Sequence, residues 1–113
     1  MGAQSYDSKV IIKGNARDAF RQAREEANDY NGHREGYSGD IQTADGFSMR
    51  TDNPRFGTQA FYKWEEKQLD KMDKGDCICV ELKGAVLKRA KGNGYWKGKK
   101  GVKGFYFFGM GRC

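Results

Sequence analysis

The sequence predicts an α+β fold with two helices packed on one face of a mainly antiparallel sheet of about five strands. Three observations predict it. Two stretches carry apolar residues at helical spacing, a β-branched run precedes the first, and strand-like segments gather after the second. A chain of 113 residues is a single domain by length, 1–113, with one core. Aliphatic residues are scarce, so the aromatics, 13% of the chain, must supply much of that core.

Lys9-Val10-Ile11-Ile12-Lys13 reads as the first strand, and order is expected everywhere but the extreme N-terminus. Asn15 follows as a helix N-cap, with Asp18 favourable at the positive helix end. Ala16, Ala19, Phe20, Ala23, Ala27 and Tyr30 then share one helix face. Arg17, Arg21 and Arg24 form a stripe beside it, read as a solvated face or as a row of phosphate contacts. Asn31-Gly32 ends the helix. Gly32, Gly36 and Gly39 then call for positive φ or close backbone approach. Residues 40–51 look like a short hairpin turning at Asp45-Gly46.

Asn53-Pro54 opens the second helix as cap and first residue. Ala60, Phe61, Trp64, Gln68, Leu69 and Met72 make its ragged apolar face, and Lys74-Gly75 stops it. Residues 77–83 alternate, with Ile78, Val80 and Leu82 on one face and Cys77, Cys79, Glu81 and Lys83 on the other. Residues 85–89 continue this strand past Gly84. Gly92-Asn93-Gly94 is a turn, Tyr95-Trp96 begins the return, and residues 97–101 form a cationic loop. Residues 102–110 are the last strand, with Phe105 and Phe107 on one face and Tyr106 and Phe108 on the other.

Charge is distributed unevenly along this order. Residues 82–113 hold nine Lys or Arg and no Asp or Glu, so they carry +9, the first 81 residues carry −3, and the sum is +6. A segment of this kind attracts polyanions. Aromatics on an open sheet face beside it would stack bases. Lys103, Gly104, Phe105 and Phe107 match the RNP1 pattern of the RNA-recognition motif, whereas Tyr106 stands where that pattern has a small residue. The likeness is one of chemistry. In that family a helix follows the strand, and here residue 113 follows soon after.

Several function classes lose their usual parts. The sequence contains no P-loop, Rossmann glycine pattern, Gly-x-Ser-x-Gly or HExxH, and His33 is its single histidine. No stretch approaches the length of a membrane span, and the N-terminus lacks an export signal's apolar core, so a cytoplasmic protein is expected. Cys77, Cys79 and Cys113 are an odd number and read as free thiols. With His33 they would make a Cys3His zinc set by ligand type but not by spacing; two half-buried strand cysteines fit as well, and no metal or other cofactor is expected. His33, Tyr37, Ser38 and Asp40 form a loop of possible function, an anion nest or, with Cys79, a catalytic cluster. A turn histidine bonding backbone is the plainer reading.

Gly32, His33, Tyr37, Ser38, Gly39 and Ile41, with Phe105, Tyr106, Phe107, Phe108, Gly109 and Cys113, resemble a group of small, largely uncharacterised bacteriophage-encoded proteins. Asp40 and Met110 depart from that group's pattern. The resemblance implies a phage setting, in which small single-domain proteins bind and disable host or defence factors.

The expected function is therefore a non-enzymatic binding module whose basic, aromatic C-terminal hairpin engages nucleic acid or a nucleic-acid-handling machine. Its contact residues are Lys88, Arg89, Lys91, Lys97, Lys99, Lys100 and Lys103 for phosphate, with Tyr95, Trp96, Tyr106 and Phe108 for stacking. The alternatives are an inhibitor docking the same patch on an acidic protein surface, as an anti-CRISPR-like protein would, and a nucleotide sponge or small enzyme using residues 32–39.

Overall fold

The computed structural model describes residues 3–31 and 40–112. In chain order the elements are β1 (Ala3–Ile12), α1 (Ala16–Asn31), a single 3-10 turn (Ile41–Thr43), β2 (Ser48–Met49), α2 (Gln59–Asp70), β3 (Cys77–Leu82), α3 (Gly84–Lys91) and β4 (Lys103–Arg112). The sheet order is β1-β4-β3-β2. β4 runs antiparallel to both neighbours, from Ala3↔Arg112 to Ile12↔Lys103 on one side and from Cys77↔Gly109 to Leu82↔Gly104 on the other. β2 joins β3 in parallel over Ser48↔Ile78 and Met49↔Cys79.

The fold class is α+β, and two particulars of the expected architecture are corrected. Among the described residues the sheet has four strands and is mixed, and three helices cover both of its faces. The cause lies in β4. Its period-2 alternation sends Phe105 and Phe107 to one side and Tyr106 and Phe108 to the other, and a central strand must bury both. α1 lays Ala19, Phe20, Ala23 and Ala27 over Phe105, Phe107, Cys77, Cys79, Tyr6 and Val10. Phe20 meets Phe107 at 5.6 Å between ring centroids, and Phe47 closes the cluster edge-on at 5.7 Å. On the opposite face α2 brings Phe61 to 5.7 Å from Tyr106 and Trp64 to 5.6 Å from Phe108, beside Ile78, Val80 and Leu82. Val86 and Ala90 of α3 complete this side.

Local chemistry explains each boundary. Asn15 and Asp18 cap α1 reciprocally: Asp18 N donates to Asn15 Oδ1 at 2.9 Å, and Asn15 N donates to Asp18 Oδ2 at 3.2 Å. Tyr30, expected on the buried face, is exposed. β1 extends back to Ala3 because every residue from there on has a β4 partner, although its N-terminal half is polar. The expected hairpin over 40–51 does not form. Asp40 instead accepts from Ile41 N at 2.7 Å and caps the 3-10 turn, while Asp45 N donates to Gly75 O at 2.9 Å. α2 starts at Gln59 rather than at Pro54, because Gly57 sits at φ +86° and breaks the helical path. Thr58 is the cap, its hydroxyl accepting from Phe61 N at 3.2 Å. Ala60 of the expected apolar face is exposed.

Residues 85–89 are helix, not strand, and Tyr95-Trp96 is a turn rather than a returning strand. Gly84, at φ +59°, redirects the chain after β3. Val86, Leu87 and Ala90 then fall on one side of α3, and Leu87 packs so close to Gly104 that a Cβ there would lie 2.9 Å from Leu87 Cδ1.

Gly109 is the tightest point of the sheet, wedged between Tyr6 and Cys77 of its two neighbours. An added Cβ would overlap the Asp76 carbonyl and approach Tyr6 Oη to 2.6 Å. Gly109→Ala is expected to destabilise the fold by about 3 kcal/mol, read from urea unfolding followed by circular dichroism. Gly98→Ala, where a Cβ meets nothing within 4 Å, carries only the strain of φ +72° and should cost about 1 kcal/mol.

Candidate functional site

The cationic surface is built on α3 and on the loop that returns the chain to β4. The helix carries Lys88, Arg89 and Lys91 in its last turn, where positive charge faces the negative end of the peptide dipoles. Gly92, at φ +55°, ends it, donating its N–H to Lys88 O at 3.2 Å. Successive turns follow, closed by Lys97 N to Gly94 O and Lys99 N to Trp96 O, each 3.1 Å. Gly98 and Gly101 both take positive φ.

Three contacts hold the loop to the helix and to itself. Lys91 Nζ donates to Lys99 O at 3.0 Å across the gap. The Lys99 ammonium stands 3.6 Å above the Tyr95 ring, and Tyr95 meets Trp96 edge-on at 4.8 Å. Between helix and loop lies a groove of about 630 Å³, lined by Gly84, Leu87, Lys88, Lys91, Gly92, Asn93, Lys97 and Gly98. It has an apolar floor and a cationic rim.

Most of the expected phosphate contacts are available. Lys88, Arg89, Lys97, Lys100 and Lys103 are exposed, Lys91 and Lys99 half-buried, and among the described residues none of the seven is in an ion pair. Lys9 of β1 joins them, because it lines a small cleft with Arg89. Sequence reasoning missed it: its outward place on a strand is legible, but its proximity to α3 is not. Arg112, counted in the cationic tail, is instead structural. It pairs with Asp45 at 2.9 Å and donates to Thr43 O at 2.6 Å. The α1 arginine stripe lies on the far face, where Arg21 pairs with Asp18 at 2.9 Å and Arg24 covers the Phe20 ring.

The stacking set is cut in half. Tyr95 is 72% exposed and Trp96 half-buried, whereas Tyr106 is 7% and Phe108 0% exposed. The second aromatic face of β4 is the core beneath α2 and α3, so neither residue can meet a base. The expected hairpin is therefore a helix and loop with one open ring.

The remaining candidates hold no assembled chemistry among the described residues. His33, Tyr37, Ser38 and Cys113 lie outside them, and Asp40 is the cap of the 3-10 turn. Cys77 and Cys79 are buried beneath α1, and burial pushes their thiols up to about 11 and about 12. They stay protonated at neutral pH, which makes them poor nucleophiles. Among the described residues no three His, Cys, Asp or Glu side chains cluster as metal ligands, and no helix is long and apolar enough to cross a membrane.

Tyr106 has a structural partner: its hydroxyl donates to Glu65 Oε2 at 2.5 Å and ties α2 to β4. Burial raises the Glu65 carboxyl, and the Tyr106 bond only partly offsets this. A raised folded-state pKa means that the native protein holds the proton longer than the unfolded chain. The Glu65 contribution is then full below the ordinary carboxyl range and is lost as pH rises through the raised value. Glu65→Gln keeps an acceptor for Tyr106 without a charge to desolvate. Urea melts from pH 4 to pH 7 are expected to show the wild type losing stability relative to this variant as pH rises.

Protein-family models, curated proteins and solved structures all give no match to this chain, and the reading of its function rests on this surface.

Proposed function

We propose that this chain is a small binding protein that engages single-stranded nucleic acid through the surface formed by α3 and the loop before β4. The observation that carries the reading is the uncompensated charge of residues 83–103, which hold eight Lys or Arg and no Asp or Glu. Lysines on an exposed loop neutralise phosphates and release condensed counterions, which supplies affinity without sequence readout. The open Tyr95 ring, braced by Lys99 and Trp96, adds one stacking site. The apolar floor of the adjoining groove fits a base or sugar edge between Lys88 and Lys97. Tyr106 and Phe108 are committed to the core, so contact is mainly electrostatic, with a single base held at Tyr95. The resemblance to phage-encoded proteins supports a host setting in which such a module occupies nucleic acid or the machine that handles it.

Fluorescence anisotropy with a labelled oligothymidine tests this. Affinity is expected to fall linearly in log–log form with salt, at about 0.7 per phosphate contacted. Replacing Lys97, Lys100 and Lys103 by Ala should flatten that slope by about two. Tyr95→Ala should cost about 1–3 kcal/mol of binding and leave the slope unchanged. No binding at low salt, or a triple variant that binds like the wild type, overturns the proposal. In that case, stoichiometric capture of an acidic protein from nuclease-treated lysate would assign the surface to a protein partner.

A further inference from the structure

β1 is one of the two outer strands of the sheet, and one side of it is fully engaged with β4. Along residues 5–12 no backbone hydrogen bond from another described segment reaches its other side. A cleft of about 290 Å³ lies between Asp7 and Ser8 of this strand and α1, with Glu26 and the exposed Tyr30 on its walls. An edge strand with its outer backbone groups unbonded by described segments over residues 5–12 is a template for another strand.

The charges on that edge select the occupant. Asp7 and Lys9 lie opposite Phe108 and Tyr106 in β4, so both project on the α2 and α3 side, and both are exposed. We infer that β1 pairs with β1 of a second copy of this chain, antiparallel about a two-fold axis at Ser8. In such a pairing, residues face each other with a constant sum of residue numbers and side chains on the same face. The axis at Ser8 sets Asp7 opposite Lys9 of the second copy and Lys9 opposite Asp7 of the second copy. Tyr6 then faces Val10, and Ser5 faces Ile11. Moving the axis by one residue sets Asp7 against Asp7 or Lys9 against Lys9, which repel. One register alone satisfies both charges, and it uses the strand symmetrically. Two like charges would guard the edge against self-pairing, whereas Asp-x-Lys favours it.

The pairing makes one continuous eight-stranded sheet, twice the four strands of one copy. The axis is perpendicular to the sheet, so the α2 and α3 faces of both copies lie on the same side. The two cationic loops then share one face, on the order of 30 Å apart by strand rise and strand spacing. This consequence rests on the proposed polyanion contact; the pairing itself does not.

Sedimentation velocity of the full chain without any nucleic acid tests the inference independently of that contact. The wild type is expected to sediment as a monomer–dimer equilibrium. Asp7→Lys and Lys9→Asp should each raise the dimer dissociation constant tenfold or more, since two attractive cross-strand pairs become repulsive. Mixed in equal amounts, the two variants should form a heterodimer, because the introduced charges are complementary between chains. The double variant Asp7→Lys/Lys9→Asp should dimerise like the wild type, and circular dichroism checks that each variant is folded. A wild type that stays monomeric at every concentration, or a double variant no better than either single one, overturns the inference.

Discussion

Four consecutive aromatics at 105–108 occupy a strand that has a neighbour on each side, and everything else in this fold answers to that. A central strand presents two faces, and large rings on both must be removed from water. α1 covers Phe105 and Phe107; α2 and α3 cover Tyr106 and Phe108. Each cover is then secured locally, by the Asn15 and Asp18 cap on one side and by the Glu65 bond to Tyr106 on the other. The same constraint decides where function can lie. With both faces of β4 covered, the proposed contact falls to the helix–loop surface before β4 rather than to the sheet.

Much of this was legible from residue order. The β-branched run at Val10, the alternation at Cys77–Leu82 and the aromatic run each mark a true strand. The Ala19, Phe20, Ala23 and Ala27 spacing marks α1 and its buried face. The failures have physical causes. Residues 85–89 are too few to separate a period of 2 from one of 3.6, and the tertiary contact of Val86 and Ala90 with the α2 side decides for helix. Asn53-Pro54 is a sound helix start in isolation, and Gly57 cancels it. Asp45-Gly46 is a sound hairpin turn in isolation, but Asp45 is drawn instead to Gly75 and Arg112. The polar half of β1 carries no pattern of its own, and only β4 makes it a strand.

The candidate site divides in the same way. Its charge was legible because a count of lysines needs no geometry. Which aromatics stay open was not, because alternation says which residues share a face and not whether that face is covered. Tyr106 and Phe108 therefore left the site, and Tyr95 stayed. Arg112 left it through its ion pair with Asp45, and Lys9 entered it from a strand some eighty residues earlier in the chain, next to Arg89. The self-complementary Asp7 and Lys9 acquire meaning only once β1 is known to be an edge.

The central claim is that ligand contact belongs to the cationic helix and loop while the aromatic strand serves the core. The most direct measurement is a titration of the isotopically labelled protein with a single-stranded oligonucleotide, followed residue by residue in amide and indole NMR spectra. The account predicts shifts concentrated at residues 88–103 and at the Trp96 indole, with the amides of residues 105–108 unmoved. Shifts centred on Tyr106 and Phe108, or none at residues 88–103 under conditions where the oligonucleotide binds, would contradict it.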